Sequence, residues 1–131
     1  MLNQRFIFDT HCWLWANLRP ELLTPQVSQI INNKDNEIMF SVVSAWEISI
    51  KYALNKLQLP LEPAQYIPDR LQLNQIAVLP VKLEHALRVA QLPHHHRDPF
   101  DRLLVAISQI EKLTLITADK QFEAYDVDII W

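Results

Sequence analysis

No glycine occurs anywhere in the 131 residues of this chain, where a typical sequence of that length carries roughly nine. Any backbone that has to pass through the left-handed region must do so on Asn, Asp or a strained residue, and tight turns fall to the eight prolines and to Asn and Asp. Glycine-rich phosphate loops and dinucleotide fingerprints, which need backbone to approach a phosphate closely, are excluded. The chain must be built from regular elements joined by Pro, Asn and Asp.

Half of the residues are hydrophobic and 21% are charged, enough apolar material for a packed core and too little charge for wholesale disorder. At this length two separate cores would each be marginal, so residues 1–131 are expected to form a single domain. The apolar run from Phe6 to Trp15 is interrupted by Asp9 and His11, so neither a signal peptide nor a membrane anchor is expected. Cys12 is the lone cysteine, which forbids an internal disulfide and favours a reducing compartment, by default the cytoplasm.

Five short apolar or β-branched runs read as strands: Arg5 to Phe8, Glu37 to Val43, Ile76 to Leu79, Leu113 to Thr117 and Val127 to Trp131. Between them lie segments of helical spacing. Thr24-Pro25 reads as an N-cap and first helical residue, Ser44 opens a second helix that Asn55 can terminate in place of glycine, and Pro63 begins a third toward Leu73. Leu83 to Leu92 forms another, and Asp98-Pro99 begins the clearest one, with Phe100, Leu103, Ile107 and Ile110 on one face. Strands alternating with helices predict an α/β fold with a parallel, helix-covered sheet, because parallel neighbours need long crossovers.

In such a sheet the cleft lies beyond the carboxyl ends of the strands. Asp9 follows the first strand, Asp119 follows the fourth, Glu47 lies one helical turn past the second, and Asp101 starts the long helix that feeds the fourth. Four acids gathered there repel one another unless a cation is present, and oxygen-only ligands suit a hard ion such as Mg²⁺ or Mn²⁺. The implied chemistry is phosphodiester hydrolysis by a metal-activated water. Structural roles compete with this reading. Ser44-Ala45-Trp46-Glu47 has the form of a capping box, and Glu47 precedes Lys51 by four residues as a surface ion pair would. Yet Ser44, Glu47, Lys51 and Asn55 make a polar stripe so narrow that it suits a cleft better than open solvent. Asp98 is the natural N-cap of its helix, Asp101 suits the helix dipole, and Asp119 can cap a short turn. Asp9, between Phe8 and Trp13, is harder to explain structurally, because an acid in that apolar run is costly unless paired or metal-bound, and it is the strongest single signal.

Phe8-Asp9-Thr10-His11, Ser44-Ala45-Trp46-Glu47-Ile48 followed by Lys56-Leu57 and Pro60, His96-Arg97-Asp98-Pro99-Phe100-Asp101-Arg102, and Ile116-Thr117-Ala118-Asp119 resemble the successive motifs of PIN domains, and are similar to those of the VapC-like ribonuclease toxins of toxin–antitoxin pairs. The resemblance runs nearly end to end. It implies a PIN-like three-layer α/β/α sandwich with a five-stranded parallel sheet, a metal-dependent cut of RNA, a cognate antitoxin protein and a homodimer. Asp9, Glu47 and Asp101 match the core metal ligands, Asp119 completes the quartet, and Thr10, Ser44 and Thr117 match hydroxyls that orient ligands or water. Asp98 also matches and ranks second as the better cap. Asn55 stands where relatives commonly have glycine.

Lys51, Arg97 and Arg102 lie near the acids in sequence and are candidates to touch substrate phosphates. Without the four proposed ligands the chain has 12 basic against 11 acidic groups, so attraction of a nucleic acid would rest on the ion and this small patch. His94-His95-His96 lacks zinc-site spacing and reads as a solvated loop at the cleft mouth, while Trp13, Trp15 and Trp46 read as core. A receiver domain would need paired acids after its first strand, and a haloacid-dehalogenase-like phosphatase a second acid in Asp9-Thr10-His11. The rival that survives is a catalytically inactive regulatory or interaction module of the same fold.

Overall fold

The computed structural model describes residues 4–131. Five parallel strands, β1 (Arg5–Phe8), β2 (Glu37–Ser41), β3 (Ala77–Leu79), β4 (Thr114–Ile116) and β5 (Ile129–Ile130), form one sheet in the order β3-β2-β1-β4-β5. Six α-helices supply the crossovers: α1 (Thr10–Leu18), α2 (Pro25–Asn32), α3 (Val42–Ala53), α4 (Pro63–Leu73), α5 (Leu83–Arg88) and α6 (Pro99–Glu111). The side-chain alternation of β1 divides the core between two layers. Phe6 and Phe8 pack with Trp13 of α1, Val27 of α2 and Tyr66, Ile67 and Leu71 of α4, whereas Ile7 packs on the other side with Leu104 to Ile107 of α6. Both faces of the sheet are therefore covered, as a parallel sheet requires, and the expected α/β/α sandwich is found.

Sequence and structure agree closely at the helix starts that carry Pro. Thr24 Oγ1 accepts the Val27 N–H at 3.2 Å, and Asp98 Oδ1 accepts the N–H groups of Phe100 and Asp101 at 2.8 and 3.1 Å. Several boundaries differ, and β3, β4 and β5 are each shorter than the runs that announced them. β2 stops at Ser41, whose hydroxyl accepts the Val43 N–H at 3.0 Å and so caps α3 at Val42. Ser44 is therefore inside the helix, and the capping box expected of Ser44 and Glu47 does not form. Helix α1 begins directly after Asp9, whose carboxylate caps it, within an apolar run that offers no periodicity to reveal it. The segment expected as one helix from Leu83 to Leu92 is α5 followed by a 3₁₀ turn, Val89–Gln91. Fully buried His85 of that helix accepts the Lys82 N–H at Nδ1 and meets Glu111 of α6 through Nε2 at 3.1 Å.

The missing glycines leave a visible mark. Asn55, Gln75 and Lys112 take φ of 58°, 56° and 57° where the chain leaves α3, α4 and α6. Asn tolerates this conformation; Gln and Lys do not do so readily. Lys112 is exposed, and the turn it makes closes on Ser108 O through its own N–H and that of Leu113. Lys112→Gly is expected to stabilise the protein by about 0.5–1 kcal/mol, measured as a raised denaturation midpoint. An unchanged or lowered midpoint would show that the left-handed turn carries no strain.

Candidate functional site

The parallel register sets the site. Phe8 lies opposite Ile116, and the Asp9 N–H continues the ladder to Ile116 O at 2.9 Å, so the residues just past the ends of β1 and β4 are neighbours. Thr117 Oγ1 donates to Asp9 Oδ2 at 2.7 Å and accepts the Asp119 N–H at 3.0 Å. Asp9 Oδ1 accepts the His11 N–H at 3.2 Å. Asp9 is only 5% exposed. Burial pushes its carboxyl up despite the hydrogen bonds from Thr117 and His11, and the nearby Glu47 charge adds to the effect.

From α3, Ser44 reaches the first residue of α1, with its hydroxyl 2.8 Å from that of Thr10 and both groups buried. One turn later Glu47 is 2% exposed, its Oε2 paired with Lys51 Nζ and its Oε1 buried without a partner. The narrow stripe is thus buried at Ser44 and Glu47, half-covered at Lys51 and open to solvent at Asn55. Partial burial opposes the Lys51 charge, but Glu47 and, farther away, Asp98 and Asp101 outweigh it and hold the ammonium pKa above its usual value. Asp101, on the first turn of α6, meets the greatest strain. Burial comes first and repulsion from Asp9, Asp98, Glu47 and Asp119 follows, together pushing its carboxyl up to about 8. Asp101 therefore feels the charges of the three other proposed ligands, and it offers a ligand atom within 4.8 Å of ones from Asp119 and His96. Asp119 is the most open of them, with 35% of its side chain exposed, and it also caps a 3₁₀ turn by accepting the Gln121 N–H at 2.9 Å. Asp98 acts as the cap of α6. Cys12, beside this cluster, is inert: burial and then the Asp9 charge push its thiol up to about 12.

Several sequence expectations are corrected. Arg102 is buried, and its guanidinium donates to the carbonyls of Val89, Leu92 and Pro93 and to Tyr125 Oη, so four of its five N–H groups are committed to holding the 89–93 segment and Tyr125 in place of a phosphate. Its place next to Asp101 in sequence hid the roughly 100° turn that separates neighbours on a helix. Trp46 is 57% exposed and stands edge-on to Phe100 with ring centroids 5.0 Å apart, so it is not core; Trp13 is fully buried and Trp15 partly so. Arg97 is exposed, and Lys51 is half-buried on Glu47. In the histidine run, His94 and His95 are exposed as expected, but His96 turns inward, with Nε2 at 3.0 Å from Asp101 Oδ2 and 3.6 Å from Asp119 Oδ2. Three identical residues in a row gave no sign of which would face the acids.

With Asp101 at about 8 in the folded, metal-free protein and near 3.8 when unfolded, the folded state holds a proton that the unfolded state releases. The stability linked to it is full below pH 4 and is lost as pH rises toward 8. Asp101→Asn is expected to raise metal-free stability at pH 7 by roughly 1–3 kcal/mol, and to reduce the extra stability conferred by Mg²⁺. Melting curves with and without the ion decide this: a destabilised variant that keeps the full Mg²⁺ response would make Asp101 a helix-end charge only.

Known proteins share this fold. The family model described as PIN domain matches residues 6–128. Ribonuclease VapC16 of Mycobacterium tuberculosis (strain ATCC 25618 / H37Rv) is 37% identical over 70 residues, 51% of this chain and 48% of that protein, so the chain spans about half the length of the curated relative it matches. Among solved structures, VapBC2 from Rickettsia felis, bound to a DNA fragment from its promoter, superposes with a TM-score of 0.73 at 16% identity over 98% of this chain and 99% of that one. FitAcB from Neisseria gonorrhoeae gives 0.69 at 21% over 96% of both. VapBC-5 of Mycobacterium tuberculosis, a member of the VapBC family of toxin-antitoxin systems, gives 0.58 at 23% over 96% and 97%. At these identities the structural likenesses speak for the fold, and the match over residues 6–128 settles the family: the chain belongs to the PIN domain family.

Proposed function

We propose that this protein, as a single domain over residues 1–131, is a Mg²⁺- or Mn²⁺-dependent endoribonuclease and the toxin of a cytoplasmic toxin–antitoxin pair. The observation that carries the reading is the convergence of Asp9, Glu47, Asp101 and Asp119, with a buried Glu47 Oε1 that has no partner and an Asp101 carboxyl pushed up to about 8 by its neighbours. Carboxylates in that state fit a divalent cation. The ribonuclease name of the VapC16 relative and the toxin–antitoxin assignment of VapBC-5 support the choice of substrate and setting. Among the described residues no helix is long and apolar enough to cross a membrane.

Asp9, Glu47, Asp101 and Asp119 would hold the ion. When bound, it acidifies a water and neutralises charge on the phosphate being cut. The chain's own groups prepare that site. Thr117 fixes one oxygen of Asp9 while gripping the Asp119 N–H, and the Thr10 and Ser44 hydroxyls tie the start of α1 to α3. Lys51 and Arg97 are assigned to the phosphates that flank the cut. Exposed Leu83 and Leu87 one turn apart on α5, and Trp46 and Leu54 on and just beyond α3, leave apolar surface for a homodimer and an antitoxin to cover.

RNA cleavage by the purified chain should require Mg²⁺ or Mn²⁺, stop in EDTA, and fall more than ~100-fold in Asp9→Asn. Undiminished cleavage in chelator overturns the mechanism. Absence of cleavage by a wild-type chain that still binds metal favours the inactive module. Toxicity on expression should be relieved by the neighbouring gene, and light scattering should show a species of twice the chain mass; a monomer at high concentration removes the dimer.

A further inference from the structure

His96 has no part in the chemistry described so far, yet it is among the most firmly held side chains near the acids. Its backbone N–H donates to Tyr125 Oη at 2.8 Å, and Arg102 Nη1 donates to the same oxygen at 3.2 Å, so the guanidinium that binds the Val89 and Pro93 carbonyls also secures the segment leading into the histidine. The ring lies against fully buried Phe122, centroids 5.8 Å apart. Its Nδ1 accepts the Asp98 N–H at 3.1 Å. A nitrogen that accepts from a backbone N–H carries no hydrogen, which puts the ring proton on Nε2. That Nε2 is buried 3.0 Å from Asp101 Oδ2 and 3.6 Å from Asp119 Oδ2, close to both carboxylates but aligned for a hydrogen bond to neither, so it stands as a buried N–H without a partner.

We propose that His96 is a positioning residue, an N–H donor held in the Nε2–H tautomer beside Asp101 and within reach of Asp119, whose small realignment onto Asp101 Oδ2 would tie down one carboxylate oxygen and leave the other for the ion. This rests on the metal-nuclease reading of the acids. Carboxylate ligands work best when their spare oxygens are tied down, and loss of such a tie usually weakens metal binding. Direct ligation by Nε2 is disfavoured by the same geometry, since it would move the hydrogen to Nδ1 and set it against the Asp98 N–H. Arg102 and Tyr125 then act on the site at a distance, through the segment that carries His96.

The test compares Mn²⁺ binding to wild type, His96→Ala and His96→Gln by paramagnetic resonance of the free ion, with metal-free melting curves as a check on folding. Glutamine keeps an N–H near the position of Nε2. The alanine variant should bind Mn²⁺ about 10-fold more weakly, the glutamine variant should recover most of that loss, and nitrogen NMR of histidine-labelled wild type should report Nε2–H at His96 with and without Mg²⁺. Equal affinity in wild type and His96→Ala overturns the proposal. So does a nitrogen coupling from His96 on bound Mn²⁺, which would make it a ligand. If His96→Ala does not fold, an Nδ1–H tautomer in the wild type overturns it and Nε2–H supports it. A wild-type chain that binds no Mn²⁺ at all sinks the metal reading of the acids, whereas a binding wild type with unaffected variants sinks only the role of His96.

Discussion

The structure turns on one expensive placement, a carboxylate at the end of its central strand. Asp9 sits where β1 leaves the middle of the sheet, with β2 and β4 on either side and both core layers pressing on it. Two groups make that tolerable, the Thr117 hydroxyl and the His11 N–H, and the proposed cation would add a third. The Thr117 contact exists because β1 and β4 pair with Phe8 opposite Ile116. A slip of one residue would turn Phe6 and Phe8 into the other layer and draw Asp9 away from Thr117, so core packing and site geometry enforce the same register.

The second element of the site depends on where α3 begins. Capping by Ser41 starts the helix before Ser44, which frees the Ser44 hydroxyl to meet Thr10 and lets the next turn carry Glu47 inward. A helix capped by Ser44 would have used Glu47 to satisfy its own first N–H groups. The same side chain cannot serve both purposes, and the protein resolves the conflict by spending a different serine on the cap.

Much of this was legible in the sequence, and the reasons it was legible are specific. β1 stands out because an aromatic, β-branched run ends on a single acid; α2, α4 and α6 announce themselves by Pro at the first helical position; Asn55 marks a left-handed exit where glycine is missing. The four acids could be named as candidates because a parallel sheet brings strand ends together. What stayed hidden was direction. Position in the chain does not tell that Arg102 turns toward the carbonyls of residues 89–93 while Asp101 turns toward His96, that in the run 94–96 His96 alone points inward, or that Trp46 stands in solvent beside Phe100. Helix α1 escaped for a different reason: apolar side chains lie around it so evenly that it has no polar face to set a period.

The two ends of the sheet are short. β3 contributes three residues and β5 two, so a strand arriving from another molecule would find only a few free backbone groups on either side. That defends a parallel sheet, whose central strands are almost wholly apolar, against growing by edge-to-edge addition. It also fixes the manner in which this protein can be recognised by others: contacts must be made through side chains on its helices and loops, and so must be read from sequence-specific surfaces in place of the generic hydrogen-bonding of an open β-edge.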